Sequence, residues 1–187
     1  MGRVSDAKQR LMEAVRELIW TGSYGSTTID QICEKAQVKK GSFYYFFDSK
    51  VDLAEAGIDE EWGEKRAELD AVFSPTVPPF ERLRKYCGLM YQFQAEIKRK
   101  YGKVLGCPLF SVGAEVSTQE DRLQQKIEEI LNYKRKYFES AIRDAHAAGL
   151  INAPDAAAKA RNLFAYYQGL LTEARIYDDV QGPVEGD

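Results

Sequence analysis

A cluster of cationic and hydroxyl side chains between residues 39 and 45 has the chemistry needed to bind a polyanion. Lys39 and Lys40 supply positive charge, and the hydroxyl groups of Ser42, Tyr44 and Tyr45 can donate hydrogen bonds to phosphate oxygens or base edges. The pattern predicts a helix of about two turns over residues 39–46, with most of these groups in its N-terminal half. Backbone N–H groups and the helix dipole already favour phosphate there.

The aromatic residues of this segment divide into two groups. The tyrosines stand next to cationic and hydroxyl groups, and we therefore expect them at the surface. The phenylalanines are expected to face inward and anchor the helix; they are Phe43, Phe46 and Phe47.

A second short helix is predicted immediately before the first. Thr27 and Thr28 are good N-caps, and Ile29 and Ile32 follow at helical spacing. The chain can turn near Gln37. Because helices this short are not stable alone in water, they must be braced by neighbours, and the arrangement indicates a helix-turn-helix over about residues 28–47.

These residues resemble the N-terminal domain of the TetR family of transcriptional repressors over about residues 5–65. The resemblance rests on Thr27-Thr28-Ile29, Ile32-Cys33, the run from Ala36 to Lys50, and Leu53. Two positions depart from the family pattern. Gln37 stands where Gly is usual, which strains the turn slightly, and Phe46 stands where His is usual, which removes one phosphate donor.

The resemblance implies a function and a set of DNA contacts. It implies a homodimeric repressor that binds a near-palindromic double-stranded DNA operator and is released by a small-molecule inducer. We assign residues 1–50 to the helix-turn-helix domain and residues 51–187 to a ligand-binding and dimerisation domain. The predicted DNA-binding residues are Thr27, Thr28, Lys39, Lys40, Gly41, Ser42, Tyr44, Tyr45 and Lys50.

The rest of the chain is predicted to be helical, so the fold class is all-α: a three-helix DNA-binding domain followed by a helical bundle. The first helix is expected from a cap at Ser5 or Asp6 to Thr21, with Arg3 before it as a DNA-contacting arm or a solvated terminus. Later helices are expected from a cap at Asp48 or Ser49 to Val72, over 80–101, from Pro108 to Val116, over about 118–148 and over 154–177. Residues 180–187 are expected to be disordered.

The second domain combines long apolar stripes with many aromatic side chains. By the resemblance, its last two helices pair with a second copy, although the same stripes can equally pack inside one monomer. Amphipathic and soft side chains here are typical of a small-molecule pocket, but at helical spacing most such residues are ordinary core. The candidate pocket residues are Trp62, Met90, Tyr91, Phe110, Tyr137 and Tyr167.

Cys107 is a candidate redox or electrophile sensor. The segment from Gly106 to Glu115 resembles one in a TetR subgroup, some of whose members sense oxidants through a cysteine there. A cysteine just before Pro108 lies at a helix N-terminus, where thiol pKa values are lowered. The alternative interpretation is a small buried apolar residue.

Composition excludes several other classes of protein. The net charge of the 187 residues is −3, but residues 1–50 hold 8 basic against 6 acidic residues, so the basic excess accompanies the predicted DNA-binding helix. No apolar run suggests a membrane span or signal peptide, and we expect a cytoplasmic protein. Three cysteines without CxxC spacing and one histidine predict no metal site, no cofactor and no enzyme. The alternatives are a ligand-independent nucleoid or division factor of the same fold and a helical interaction module without DNA.

Overall fold

A computed structural model describes residues 2–180, with side chains from residue 6 onward. These residues form eight helices and no strand, which confirms the all-α prediction. The helices are α1 (Gly2–Thr21), α2 (Ile29–Ala36), α3 (Lys40–Phe46), α4 (Lys50–Val72), α5 (Pro79–Tyr101), α6 (Pro108–Val116), α7 (Asp121–Ala147) and α8 (Ala156–Tyr177). Between residues 2 and 180, no helix combines the length and apolar content that a membrane span needs. The side chain of Arg3 and the tail after residue 180 lie outside the described part.

Two helix starts differ from the predictions. The predicted cap at Ser5 or Asp6 is wrong, because α1 already begins at Gly2 and both residues lie within the helix. Helix α7 begins at Asp121 and not near residue 118. The Val116 carbonyl accepts the backbone N–H groups of both Gln119 and Glu120, at 3.0 and 2.9 Å, so the chain makes another turn after α6 before α7 starts.

The chain divides into two compact units. The first comprises the residues up to Glu64 together with Ser111–Glu128, and the second comprises Lys65–Phe110 and the residues from Glu129 onward. This division differs from the predicted boundary after residue 50. Helix α4 stays with the first unit as far as Glu64, and a segment distant in sequence joins that unit.

The first unit has an apolar core that holds α2 and α3 against α1. Leu11 and Val15 of α1, Ile32 of α2 and Phe43 of α3 are fully buried. The Arg10 guanidinium of α1 also donates a hydrogen bond to the Ala36 carbonyl at the end of α2, with an Nη1···O distance of 2.9 Å. The two short helices are therefore braced by their neighbour, as their length requires.

Aromatic rings form the core of the second unit. Phe138 of α7 packs against Tyr86 of α5 and Phe164 of α8, with ring centroids 5.1 and 5.2 Å apart. Tyr167 of α8 lies 5.3 Å from Tyr86, and Phe73 lies 5.6 Å from Tyr86. Edge-to-face contacts of this kind stabilise a core beyond the area that they bury.

A buried arginine organises the loop between α4 and α5. The Arg82 side chain is only 2% exposed, and its guanidinium donates to the carbonyls of Val77 and Pro75, at 2.7 and 3.1 Å. It also forms an ion pair with Asp144 of α7 at 2.6 Å. A buried charge is tolerated only when it is paired and hydrogen-bonded, and Arg82 meets both conditions.

We expect Arg82→Leu to lower the free energy of unfolding by about 2–4 kcal/mol, because it leaves two loop carbonyls and the Asp144 carboxylate without their donor. Urea denaturation followed by circular dichroism measures this change. Arg84→Leu, at an exposed position of the same helix, is the matched control. An equal loss in both variants would contradict the role of Arg82.

Candidate nucleic-acid interface

The N-terminus of α2 is fixed by a capping box. The Thr28 hydroxyl accepts a hydrogen bond from the Gln31 backbone N–H at 3.2 Å, and the Gln31 side chain accepts one from the Thr28 N–H at 2.8 Å. Thr27 is buried, and its hydroxyl donates to the Ser23 carbonyl at 2.7 Å. The predicted cap at Thr28 is confirmed, and the structure gives both threonines internal partners.

The turn between α2 and α3 is held in a left-handed conformation at Gln37. This residue has φ 54° and ψ 44°, a region that glycine enters more readily than other residues. The N–H groups of Gln37 and Val38 bond the carbonyls of Glu34 and Cys33, both at 3.0 Å, which is the hydrogen-bond pattern of a Schellman motif. A glycine is usual at this point in the family pattern for this conformational reason.

Helix α3 presents its aromatic residues as the sequence predicts, with the exception of Phe46, which was predicted to face inward. Phe43 is completely buried and Phe47, just after the helix, is 7% exposed, so they anchor α3. Tyr44 and Tyr45 are 54% and 74% exposed, and their hydroxyl groups are accessible for hydrogen bonds. Phe46 is half-buried, with its ring edge-on to Tyr45 at 4.8 Å.

The polar residues of α3 surround these tyrosines. Lys39 and Gly41 are exposed and Ser42 is half-buried, and a Cβ atom added to Gly41 would meet no atom within 4 Å. The Lys40 ammonium is paired with Asp30 of α2 at 2.7 Å, and this hydrogen bond raises the pKa of Lys40. Both side chains of the pair are more than half exposed, so an incoming phosphate can compete with Asp30 for Lys40.

Lys50 has a different position from the other predicted contacts. Its ammonium donates to the carbonyls of Tyr24 and Thr27, at 2.7 and 2.9 Å, and lies 4.1 Å from the centroid of the Tyr24 ring. Burial lowers the pKa of Lys50. The structure therefore uses two of the three ammonium donors to hold the segment between α1 and α2.

Glu115 also holds the segment between α1 and α2, and the sequence did not predict this role. Its carboxylate accepts hydrogen bonds from the Ser23 hydroxyl at 2.7 Å, from the Tyr24 N–H at 2.9 Å and from the Gly25 N–H at 2.7 Å. Burial opposes the charge of Glu115, but these donors outweigh it, and the net effect lowers the pKa of its carboxyl group. No local signal marks this residue, because it lies about 90 positions from its partners.

Two family descriptions match the chain. "Bacterial regulatory proteins, tetR family" matches residues 11–56, which include the helix-turn-helix, and "Tetracyclin repressor-like, C-terminal domain" matches residues 79–185. The second match alone covers more than half of the 187 residues. The chain belongs to the TetR family of transcriptional regulators.

Individual TetR-family proteins are similar over most of the chain. The repressor DhaR of Mycobacterium sp. (strain GP1) is 27% identical over 90% of this chain and 82% of its own length. The crystal structure of regulatory protein TetR from Rhodobacter sphaeroides is 27% identical, with a TM-score of 0.79 over 92% of this chain and 90% of its own. An uncharacterised regulator from Lactococcus lactis is 27% identical over 70% of this chain, which spans 65% of that relative's length.

The candidate pocket residues of the TetR-family C-terminal region are only partly brought together. Phe110 and Tyr167 join the aromatic core: Phe110 lies 6.3 Å from Phe164, and Tyr167 lies 6.3 Å from Phe138. Tyr137 packs on Phe73 at 5.1 Å, and its hydroxyl donates to Asp70. Of the other candidates, Met90 is half-buried, Tyr91 is 45% exposed, and Trp62 belongs to the first unit.

Cys107 precedes α6 and is 8% exposed, in the second unit. Burial is the largest cause of the raised pKa of Tyr86 and of Tyr167, and the nearby Cys107 sulfur is a smaller cause for both. All three cysteines of the chain are outside disulfides. Burial matches the interpretation of Cys107 as an apolar residue, and a reagent must enter the second unit to reach its sulfur.

We expect Glu115→Gln to lower the free energy of unfolding by about 1–2 kcal/mol at pH 7, because the neutral amide keeps one acceptor oxygen and its NH2 group cannot accept the hydrogen bonds made by the other carboxylate oxygen. The native contacts hold the pKa of Glu115 below its ordinary value of 4.5. Its contribution to stability is therefore complete above pH 4.5 and is lost as the pH falls through the lowered pKa.

Urea denaturation at several pH values between 3 and 7 measures both effects. Stability of the wild type should fall more steeply below pH 4.5 than stability of Glu115→Gln. Glu34→Gln, at an exposed position of α2, is the control and should retain the wild-type pH dependence. Parallel curves for wild type and Glu115→Gln would contradict this role of the carboxylate.

Proposed function

We propose that this chain is a homodimeric repressor that binds a near-palindromic DNA operator and is released by a small-molecule inducer. The observation that carries the proposal is the outward face of α3, where Lys39, Lys40, Tyr44 and Tyr45 are exposed on a helix anchored by Phe43. The second helix of a helix-turn-helix is the element that enters the major groove. The similarity to the repressor DhaR favours repression over activation.

The composition of this face supports contact with both the DNA backbone and the bases. Lys39 and Lys40 are suited to phosphate contacts, which position a protein on the duplex without reading sequence. Tyr44 and Tyr45 present hydroxyl groups and apolar ring edges, and such groups can contact base edges and the thymine methyl group. Ser42 and Gly41 allow the start of α3 to approach the backbone closely. Thr27, Thr28 and Lys50 contribute mainly by fixing α2, since each has internal hydrogen bonds.

Dimerisation is supported by apolar surface on α8. Tyr166, Ile176 and Tyr177 are 65%, 70% and 76% exposed in the single chain. Tyr166 and Tyr177 are eleven residues apart, which is three helical turns, so they share one face of the helix. A two-fold dimer built on this face would place two α3 helices in successive major grooves, about 34–36 Å or a multiple apart.

The inducer is proposed to act in the second unit by population shift. A ligand releases the operator only if it binds the DNA-incompetent conformation more tightly than the DNA-bound one. The runner-up function, a DNA-binding factor without a ligand switch, predicts a filled core in the second unit, whereas a ligand switch predicts a pocket there. The buried and unpartnered polar atoms of Gln168 and Tyr167 favour the ligand-responsive function.

We expect Lys39→Ala to weaken operator binding about tenfold at physiological salt. A dimer loses one phosphate contact in each protomer, so the slope of log K against log salt should become shallower by about 2. Fluorescence anisotropy with the duplex upstream of the protein's own coding region, over a salt series, measures both quantities. Lys159→Ala, at an exposed position of α8, is the control with the same charge change.

Two results would contradict the proposed interface. One is an equal effect of Lys39→Ala and Lys159→Ala on the slope, which would mean that α3 has no special position on DNA. The other is equally tight binding of random-sequence duplex, which would support the architectural alternative. Circular dichroism and sedimentation velocity on each variant check that it remains folded and dimeric.

Release by modification of Cys107 stays a prediction. We expect Cys107→Ser to bind the operator as the wild type does, and to remain bound after treatment with N-ethylmaleimide that releases the wild type. Because Cys87 is exposed and N-ethylmaleimide can reach it, Cys87→Ser is the control and should be released like the wild type. Equal release of Cys107→Ser and wild type would contradict a sensing role for Cys107.

A further inference from the structure

Two glutamines of the second unit are equally buried, but their amides have opposite hydrogen-bonding states. Gln94 is 3% exposed; its Nε2 donates to the Gly106 carbonyl and its Oε1 accepts from the Gly106 N–H, both at 3.0 Å. Gln168 of α8 is 1% exposed, and neither its Nε2 nor its Oε1 has a hydrogen-bond partner. A buried amide in this state lowers protein stability unless something else satisfies it.

The neighbouring residue of α8 has the same property. The Tyr167 hydroxyl is buried and also lacks a hydrogen-bond partner. The other buried side-chain atoms without a hydrogen bond in the described part of the chain are Nε atoms of Arg10 and Arg135, but both guanidinium groups bond through Nη1, and the Arg10 Nε lies 3.2 Å from the Asp6 carboxylate. Side-chain groups with no hydrogen bond at all are thus concentrated at two adjacent positions.

A second copy of the chain does not supply the missing partners. Gln168 and Tyr167 are already covered within one chain, whereas a second copy would pack on exposed surface such as Tyr166 and Tyr177. Any partner for these groups must be small enough to enter the interior of the unit, and water and a small ligand are the two candidates. Small-molecule sites are usually lined by apolar and aromatic side chains, with a few polar groups that fix the orientation of the ligand.

The surroundings define the chemistry of that molecule. Tyr167 stands 5.3 Å from the Tyr86 ring and 6.3 Å from the Phe138 ring, so the wall is aromatic. Burial raises the pKa of the hydroxyl groups of both Tyr86 and Tyr167, and the same environment disfavours an anionic ligand. The Gln168 amide presents a donor and an acceptor side by side, which pair with an acceptor and a donor on one planar group.

We propose that Gln168 and Tyr167 recognise an uncharged, planar ligand in which a hydrogen-bond donor lies next to an acceptor, as in a primary carboxamide or a lactam. The Gln168 amide forms a pair of hydrogen bonds with the ligand edge, and the Tyr167 hydroxyl binds its carbonyl. The aromatic rings pack against the apolar part of the ligand. The inference rests on the proposed function, because binding of such a ligand regulates DNA binding only if the protein is an inducible repressor.

The first test measures binding of benzamide by isothermal titration calorimetry. We expect saturable binding to wild type, and at least tenfold weaker binding of N,N-dimethylbenzamide, which lacks the donor, and of benzoate, which is charged. Gln168→Met should weaken benzamide binding at least tenfold, and Tyr167→Phe should weaken it severalfold. Absence of saturable benzamide binding, or an affinity unchanged in Gln168→Met, overturns the proposal.

The second test needs no ligand and uses the two glutamines as a matched pair. Gln168→Met removes an unsatisfied amide, so we expect the melting temperature of the ligand-free protein to rise by about 2–6 °C. Gln94→Met breaks two hydrogen bonds to Gly106, and we expect a fall of similar size. A fall for Gln168→Met would mean that the amide is already satisfied, by water or by protein, and overturns the proposal.

Operator binding, measured separately by anisotropy without benzamide, distinguishes this inference from the proposed function. Wild type that binds the duplex but not benzamide overturns the ligand assignment and leaves the repressor proposal intact. Wild type that binds benzamide through Gln168 but binds no duplex supports the ligand site and contradicts the repressor.

Discussion

The candidate interface depends on how the segment between α1 and α2 is held by two opposite charges. The Glu115 carboxylate binds the hydroxyl of Ser23 and the N–H groups of Tyr24 and Gly25, while the Lys50 ammonium binds the carbonyls of Tyr24 and Thr27. Together they satisfy backbone groups that an irregular segment leaves without partners. The segment ends at Thr28, the N-cap of α2, so the same contacts fix where α2 begins and therefore where α3 can lie.

The local part of this site was predictable from sequence, because short-range periodicity determines which face of a helix is buried. The burial of Phe43, the exposure of Tyr44 and Tyr45, and the Thr28 cap all follow from residue type and spacing within about twenty positions. The roles of Lys50 and Glu115 do not follow. One acceptor among 29 acidic residues cannot be selected when its donors are about 90 positions away, and Lys50 looks like any exposed cation beside a helix N-terminus.

The division of the fold shows the same limit at a larger scale. A boundary after residue 50 follows the change in charge balance, which is a property of neighbouring residues. In the structure, Ser111–Glu128 belongs to the first unit, where Val116 and Leu123 are completely buried. Their apolar character predicts burial, but it does not indicate against which part of the chain they pack. Caps and prolines act locally, so the sequence predicts helix bounds to within a few residues. The largest differences are at the starts of α1 and α7, where the predicted starts lie too late and too early.

Charge places a final constraint on how this TetR-family protein can bind DNA. The first 50 residues hold 8 basic and 6 acidic residues, and Lys40 already shares its charge with Asp30. Few cations therefore remain for nonspecific attraction to phosphate, so the proposed operator binding would depend on two properly spaced protomers and on contacts by Tyr44 and Tyr45. Because few free cations attract nonspecific DNA, competition from such DNA should reduce its affinity for the operator only slightly. In the proposed repressor, affinity for the operator would instead depend on the position of α3, which follows from the segment that Glu115 and Lys50 hold.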